Sequence, residues 1–223
     1  MQQKIHSAPA IVYPETDGKP MAETDLHRNL MFDIIKMLTH NFENRNDVYV
    51  SGNLLIYYEE GNPKKSVAPD VFVVFGVSEK PRRTFLTWEE GQTPDFVLEV
   101  ASASTHQNDI GHKKDLYASV LKVEEYYIYD PYGEINPNFI GYRLVEGAYQ
   151  EIEFIDERFP SHVLGLELGE RDGVLGLYNP DIQEWLQPPE QRAEQESIAR
   201  KHAEAELAKA LAELERFRAN TND

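Results

Sequence analysis

The chain has 223 residues, of which 41% are hydrophobic and 27% charged, as is usual for a soluble globular protein with one substantial core or one domain plus an appendage. Cysteine is absent, which excludes disulfides and thiolate metal sites. The sequence has no apolar run of membrane-spanning length and no apolar signal core near the N-terminus, so we expect a cytoplasmic protein that does not enter a membrane. The net charge of −17 opposes non-specific binding to nucleic acid, although it does not exclude a local basic groove.

An amphipathic helix is the first predicted element, and it runs to about Asn44. Its apolar residues recur every four positions, at Leu26, Leu30, Ile34, Leu38 and Phe42. Thr24 or Asp25 can cap its N-terminus. Glu23 and His27 are four residues apart near its start. They form either a solvated pair at the helix terminus or a group that reaches a functional site.

Two strand-like segments follow. Residues 48–59 alternate in character, and residues 67–77 form a mostly apolar run that Pro69 and Asp70 open. Asp70 is therefore expected at the entrance of a buried strand, either as an ordinary strand-edge aspartate or as part of a site. The loop at 78–91 contains a small basic cluster and is either a flap over a site or a solvated connection.

The most informative segment is the strand predicted around Phe96–Val100. Its residues alternate with period two, and both faces are apolar except for Glu99. Such a strand is central and buried. A buried carboxylate must be paired, hydrogen-bonded or bound to a cation. Glu99 is therefore either a core glutamate neutralised by an Arg or Lys, or a functional group.

Helical spacing of apolar residues from Asp109 to Leu121 then predicts a helix with Asp109 as its N-cap or first-turn acid. Lys113 and Tyr117, four residues apart, share one face of this helix. A second buried strand is predicted at 124–130. A helix between two buried strands favours a parallel crossover, which places a lysine beside the strand of Glu99.

Beyond Pro131 the pattern is that of short strands. They are predicted at 139–145, 149–155, 164–168 and 173–178, with a hairpin around Glu146 and Gly147. From residue 189 the composition shifts to Ala, Glu, Arg, Lys and Leu, which predicts a long C-terminal helix. We therefore expect a domain at 1–188 and a helical segment at 189–223. The apolar face of that segment, Leu207, Leu211, Leu214 and Phe217, predicts a homo-oligomer, most simply a dimer.

Asp70, Glu99 and a lysine on the adjacent helix are the groups that a divalent-metal phosphodiesterase uses. Carboxylate oxygens bind Mg²⁺ or Mn²⁺. The metal lowers the pKa of a bound water and offsets charge on the scissile phosphate. A lysine nearby can orient that water or stabilise developing charge. The spacing of these residues is generic, so the pattern alone does not single out this chemistry.

The ordered motifs add a family resemblance. They are Pro69-Asp70, the strand from Asp95 to Val100, the loop to Thr105, the run from Asp109 to Lys113, Leu116-Tyr117-Ala118, and the strand from Glu125 to Pro131. Together they resemble the Uma-two family of restriction-endonuclease-like proteins, in the PD-(D/E)XK nuclease superfamily. The resemblance implies an α/β fold with a mixed sheet flanked by helices.

The resemblance also implies site residues. It assigns the metal to Asp70, Glu99 and the backbone carbonyl of Val100, with Mg²⁺ or Mn²⁺ as the cofactor and nucleic acid as the partner. We expect DNA more than RNA, but the sequence does not decide between them. The superfamily lysine two residues after the glutamate is absent, because that position is Ala101.

In the Uma-two arrangement the lysine comes instead from the following helix, which maps to Lys113. Lys114 faces about 100° away around the helix. Tyr117 is expected to pack against or hydrogen-bond the lysine region. Glu23 or His27 would correspond to an accessory group on the N-terminal helix.

The leading hypothesis is therefore a metal-dependent endonuclease with Asp70, Glu99 and Lys113 as its catalytic residues. A non-catalytic interaction protein on the same fold is the alternative that the charge of −17 and the C-terminal helix favour. A hydrolase that uses Asp70 and Glu99 on another substrate is a third possibility.

Overall fold

The computed structural model describes residues 11–16, 18 and 24–220, with side chains described as far as residue 212. The chain divides into two compact units, Met1–Leu186 and Gln187–Asp223. The strands, in chain order, are β1 (Val48–Ser51), β2 (Ile56–Tyr57), β3 (Ser66–Val67), β4 (Val71–Phe75), β5 (Phe85–Leu86), β6 (Phe96–Val100), β7 (Glu125–Tyr129), β8 (Phe139–Val145), β9 (Ala148–Glu151), β10 (Arg158–Ser161), β11 (Leu166–Arg171), β12 (Val174–Asn179) and β13 (Glu184–Trp185).

The helices of the first unit are α1 (Asp25–Asn41), the single turn α2 (Thr87–Glu90) and the composite helix α3. Helix α3 is a continuous helical segment that alternates α-helical and π-helical turns. These are His106–Asn108, Asp109–Lys113, Lys114–Leu116 and Tyr117–Leu121. The second unit contains the C-terminal helix, Pro189–Asn220.

The main sheet is mixed, with the strand order β1-β4-β6-β7-β8-β9. Strands β6 and β7 are parallel, as the crossover through α3 requires, and the other neighbours in this sheet are antiparallel. A second sheet contains β10 to β13 and a third contains β3, β2 and β5. This architecture confirms the predicted α/β fold with a mixed sheet, extra strands and a long C-terminal helix.

The alternation of β6 divides its side chains between two hydrophobic clusters, one on each face of the sheet. Phe96, Leu98 and Val100 pack in the cluster that also contains the buried residues of α1. Val97 and Ala101 pack in the cluster that contains the buried residues of α3. All five residues of β6 are buried, as the sequence predicted for a central strand.

Several predicted boundaries were wrong. The strand predicted at 48–59 is two strands in different sheets, because the chain turns at Gly52 and at Asn53, which has a left-handed φ of 50°. The strand predicted at 67–77 is interrupted at Pro69, which has no N–H to donate to a ladder. Helix α1 begins where predicted, with the Thr24 side chain accepting a hydrogen bond from the N–H of His27, but ends at Asn41.

The segment at 78–91 is neither a plain loop nor a fully solvated connection. It contains β5 and α2, and it is packed through Arg82, whose side chain is only 3% exposed. The Arg82 guanidinium pairs with Glu90 at 2.8 Å and lies 4.1 Å from the centre of the Tyr49 ring. The segment is therefore a packed connection.

The hairpin between β8 and β9 is confirmed, with left-handed φ angles of 51° at Glu146 and 84° at Gly147. Strand β10 was missed because it contains Pro160, and β13 because it has only two residues.

In the C-terminal helix Leu207 and Leu211 are exposed. The side chains of Leu214 and Phe217 lie outside the described residues. Within the described part of the chain, no helix is long and apolar enough to cross a membrane.

Candidate functional site

The pairing of β4 with β6 brings Asp70 next to Glu99. The two strands are antiparallel with Val71 opposite Leu98, so Asp70, the residue before β4, lies beside Glu99. Oδ2 of Asp70 accepts a hydrogen bond of 2.8 Å from the N–H of Val100. The N–H of Asp70 lies 3.4 Å from Oε2 of Glu99. The structure therefore places both predicted carboxylates and the backbone of Val100 at one corner of the sheet.

Helix α1 adds His27 to this corner. Its Nε2 lies 3.3 Å from Oδ1 of Asp70, and both side chains are 14% exposed. His27, one of the two accessory residues predicted near the start of the N-terminal helix, thus contacts a candidate ligand. The other, Glu23, lies outside the described residues.

Glu99 points from β6 towards α3 and is 1% exposed. Its Oε1 accepts a hydrogen bond of 2.6 Å from the Tyr117 hydroxyl, and its Oε2 lies 2.9 Å from Nζ of Lys113. Burial raises the pKa of Glu99 to about 8; the positive charge of Lys113 opposes this shift, and repulsion from Asp70 adds to it. The charge on this carboxylate therefore depends strongly on the cations around it.

The N-terminal half of α3 differs from the prediction. The helix begins at His106, three residues earlier than expected, so Asp109 is not its N-cap. Asp109 lies inside a π-helical turn and is 1% exposed. Its Oδ1 lies 3.0 Å from Nζ of Lys113. The predicted start was wrong because the polar residues before Asp109 are helical but lack the apolar spacing that would mark a helix. Asp109 is instead an acid in the first turn of the π-helical part.

The two lysines of α3 have different surroundings. Lys113 is 20% exposed at its side chain and reaches Glu99 and Asp109. The ammonium of Lys114 lies 3.7 Å from the centre of the Tyr142 ring, in a cation–π contact. Only Lys113 is therefore placed beside the paired carboxylates.

The donor set suits a cation that keeps much of its hydration. The described residues include no group of three or more His, Asp or Glu side chains arranged to hold one ion. The corner instead offers the carboxylates of Asp70 and Glu99, and the N–H of Val100 holds Asp70 in place. Mg²⁺ is commonly bound by one or two carboxylates and keeps several waters. The residues present therefore fit Mg²⁺, or Mn²⁺ with similar oxygen ligands.

Sequence reasoning missed Asp109 as a member of this site. The signal was available, because Asp109 and Lys113 are four residues apart, a spacing that pairs opposite charges on a helix. The backbone carbonyl of Asp109 also accepts a hydrogen bond of 3.1 Å from the buried Tyr126 hydroxyl. That contact joins distant parts of the sequence and has no local signal.

Asp70 and Glu99 lie side by side where β4 begins and β6 ends, and Lys113 of α3 contacts Glu99. In a mixed sheet, this is the arrangement of a restriction-endonuclease-like nuclease. The sequence matches the family described as "Uma2: Putative restriction endonuclease" over residues 5–170, and the chain belongs to that family. This confirms the resemblance seen in the motifs.

A solved structure is also similar to this chain, namely "a putative nuclease belonging to DUF820" from Anabaena variabilis ATCC 29413. The two share 16% sequence identity with a TM-score of 0.47, and the match covers 67% of this chain and 81% of that one. The comparison with curated proteins gave no match.

Proposed function

We propose that the protein is a Mg²⁺-dependent endonuclease that hydrolyses phosphodiester bonds, with DNA as its substrate. Membership of the Uma2 family supports a nuclease acting on nucleic acid. The observation that carries the proposal is the corner formed by Asp70, Glu99 and Lys113. There the N–H of Asp70 lies 3.4 Å from Oε2 of Glu99, and the ammonium of Lys113 lies 2.9 Å from the same oxygen.

The carboxylates of Asp70 and Glu99 and the backbone carbonyl of Val100 would hold Mg²⁺, or Mn²⁺ in its place. When bound, the cation supplies a water of lowered pKa and offsets negative charge on the scissile phosphate. The chain contributes a preformed arrangement, because the N–H of Val100 fixes Asp70 and the hydroxyl of Tyr117 fixes Glu99. Preorganised groups need little rearrangement during the reaction.

Lys113 would provide the positive charge of the reaction. Its ammonium is mostly buried, and the adjacent carboxylates of Glu99 and Asp109 favour its charged form. A charged Nζ can donate a hydrogen bond to the attacking water or to a non-bridging phosphate oxygen as charge develops there. Because the side chain is 20% exposed, it is accessible from solvent.

A cleavage assay with matched variants tests this function. Protein stripped of metal is assayed on plasmid DNA and on a labelled RNA, with Mg²⁺ and with a chelator. We expect Mg²⁺-dependent DNA cleavage that falls by roughly 10²-fold or more in Glu99→Gln and in Asp70→Asn. Glu124→Gln, an exposed residue just before β7, is the control and should cleave at the wild-type rate. Cleavage that persists in chelator, or that survives in Glu99→Gln, would contradict the proposal.

A further inference from the structure

We propose that Asp109 is a positioning residue that holds the ammonium of Lys113 in place at the site. The inference rests on the proposed function, because the role of Asp109 is defined by the lysine it holds. It concerns a residue outside the proposed metal ligands.

The ammonium of Lys113 lies between two buried carboxylates. Its Nζ is 2.9 Å from Oε2 of Glu99 and 3.0 Å from Oδ1 of Asp109, and both carboxylate side chains are at most 2% exposed. A lysine is a point charge on a flexible four-carbon stem, so a single partner fixes its position poorly. Two partners on different elements, a strand and the helix of Lys113 itself, restrict that position.

Two further features fix Asp109. It begins the π-helical turn Asp109–Lys113, a local geometry that is frequent at functional sites. The hydroxyl of Tyr126, on β7, donates a hydrogen bond of 3.1 Å to the backbone carbonyl of Asp109. The turn that carries Asp109 and Lys113 is therefore tied to the central sheet.

The observed partner of the Asp109 carboxylate is the lysine. Its Oδ1 lies 3.0 Å from Nζ of Lys113, four residues further along the same helix. A cation bound to Glu99 would compete with Lys113 for the lone pairs of that carboxylate. Asp109 then remains as the partner of a buried ammonium that would otherwise be costly to leave unpaired.

A purely structural ion pair would use the same contacts, so the test must separate the two roles. A double-mutant cycle does this. Asp109→Asn should lower kcat by about tenfold or more and change KM by less than about twofold, because the lost interaction acts on the chemical step. In the Lys113→Met background Asp109→Asn should cause no further loss. Asp115→Asn, exposed on the same helix, is the matched control and should keep the wild-type kcat.

A second readout does not use activity. The ammonium ¹⁵N signal of Lys113, assigned by its loss in Lys113→Met, should be sharp in metal-free wild-type protein because buried carboxylates slow its exchange with water. It should broaden or disappear in Asp109→Asn and persist in Asp115→Asn. Asp109→Glu keeps the charge on a longer stem and should recover part of both the Lys113 ammonium signal and kcat. If Asp109→Asn does not fold, Asp109→Glu replaces it as the test variant.

The outcomes distinguish this inference from the proposed function. If the wild-type protein cleaves but Asp109→Asn keeps its full kcat, the positioning role is overturned and the nuclease stands. The positioning role is also overturned if the losses of kcat add in the double variant of Asp109→Asn and Lys113→Met. It is overturned as well if the Lys113 ammonium signal is unchanged in Asp109→Asn. If the wild-type protein shows no metal-dependent cleavage, the proposed function fails and the positioning role fails with it.

Discussion

Nζ of Lys113 lies 2.9 Å from Oε2 of Glu99, so a helix side chain reaches a carboxylate near the C-terminal end of a buried strand. Ala101, two residues after Glu99 and directly after β6, is buried in the core and supplies no charge. Helix α3 thus presents an ammonium to the carboxylate from outside the strand. The ammonium beside Glu99 therefore comes from the helix and not from the strand.

The first prediction concerns the two lysines of α3. Lys113→Met keeps most of the aliphatic stem but removes the charge beside Glu99. It should lower the cleavage rate by roughly 10²-fold or more, the order expected for losing one electrostatic group, while Mg²⁺ binding persists. Single-turnover cleavage and Mg²⁺ titration measure the two effects.

Lys114→Met is the matched control for this prediction. The ammonium of Lys114 lies over the Tyr142 ring, so its removal should leave cleavage within about twofold of wild type and weaken stability slightly. Loss of activity in Lys114→Met with retention in Lys113→Met would show that the wrong lysine has been assigned. Retention in both would show that neither lysine takes part in the chemistry.

The local sequence was sufficient to predict the central βαβ unit. The period-two pattern of β6, the apolar spacing of α3 and the aromatic strand β7 are all local signals, and each element was found. Glu99 was recognisable because a lone charge in a buried strand needs a partner. The sequence alone left open whether that partner was a lysine or a cation, and the structure shows Lys113 in contact with it.

Other features depend on contacts between distant residues and had no local signal. The close approach of Gly52 to the backbone carbonyl of Asp70 joins two strands that are separate in the sequence. The contact of the Tyr126 hydroxyl with the carbonyl of Asp109, in a π-helical turn of α3, joins the helix to the sheet across 17 residues of sequence. Short strands such as β13 have too few residues to show a period.

The second prediction concerns Gly52, which supports the Asp70 corner. A Cβ at this position would overlap the carbonyl oxygen of Asp70 and lie 2.7 Å from Cδ1 of Ile35. Gly52→Ala should therefore lower the free energy of unfolding by about 1–3 kcal/mol, the usual cost of overpacking, and weaken Mg²⁺ binding by displacing Asp70. Urea denaturation and Mg²⁺ titration measure both effects.

Gly111→Ala is the control for Gly52→Ala. A Cβ at Gly111 would meet no atom within 4 Å, and alanine is favoured over glycine in a helix. This variant should fold with wild-type or slightly greater stability. If Gly52→Ala behaved like Gly111→Ala, the close packing at Asp70 would not matter for the site.

The third prediction concerns pH and Glu99. Because burial raises the pKa of Glu99 from 4.5 to about 8, the folded protein binds more protons than the unfolded chain between these values. The free energy of unfolding of metal-free protein should therefore fall as the pH rises from 4.5 to 8, by up to about 1.4 kcal/mol per pH unit. Urea denaturation of wild type and Glu99→Gln at several pH values isolates this contribution.

The comparison with Glu99→Gln removes the effects of other titrating groups. The variant cannot ionise at this position, so the stability difference between the two proteins should change in favour of Glu99→Gln as the pH rises. Saturating Mg²⁺ should reduce the change, because a cation that binds the ionised carboxylate competes with its proton. A stability difference that is constant from pH 4.5 to 8 would show that Glu99 titrates as it does in the unfolded chain.

The fourth prediction concerns assembly through the C-terminal helix. Leu207 and Leu211 are 61% and 55% exposed on one face of this helix, and an exposed apolar stripe on an acidic chain is typical of a contact surface. We predict a homodimer that Leu207→Glu with Leu211→Glu converts to monomer. Light scattering across a concentration series measures the mass.

Ala205→Glu with Ala212→Glu adds the same charge on the other side of the helix and should leave the dimer intact. Monomeric wild-type protein at all concentrations would contradict the prediction. So would equal loss of the dimer in both double variants, because the effect would then reflect charge and not the leucine stripe.

Binding of Mg²⁺ measured by isothermal titration calorimetry tests the central claim most directly, because it asks whether the corner at Asp70 and Glu99 is a metal site before any substrate is chosen. We predict saturable binding to metal-stripped wild-type protein, binding retained in Lys113→Met, and binding lost in Glu99→Ala. No saturable binding at millimolar Mg²⁺, or equal binding in wild type and Glu99→Ala, would contradict the account.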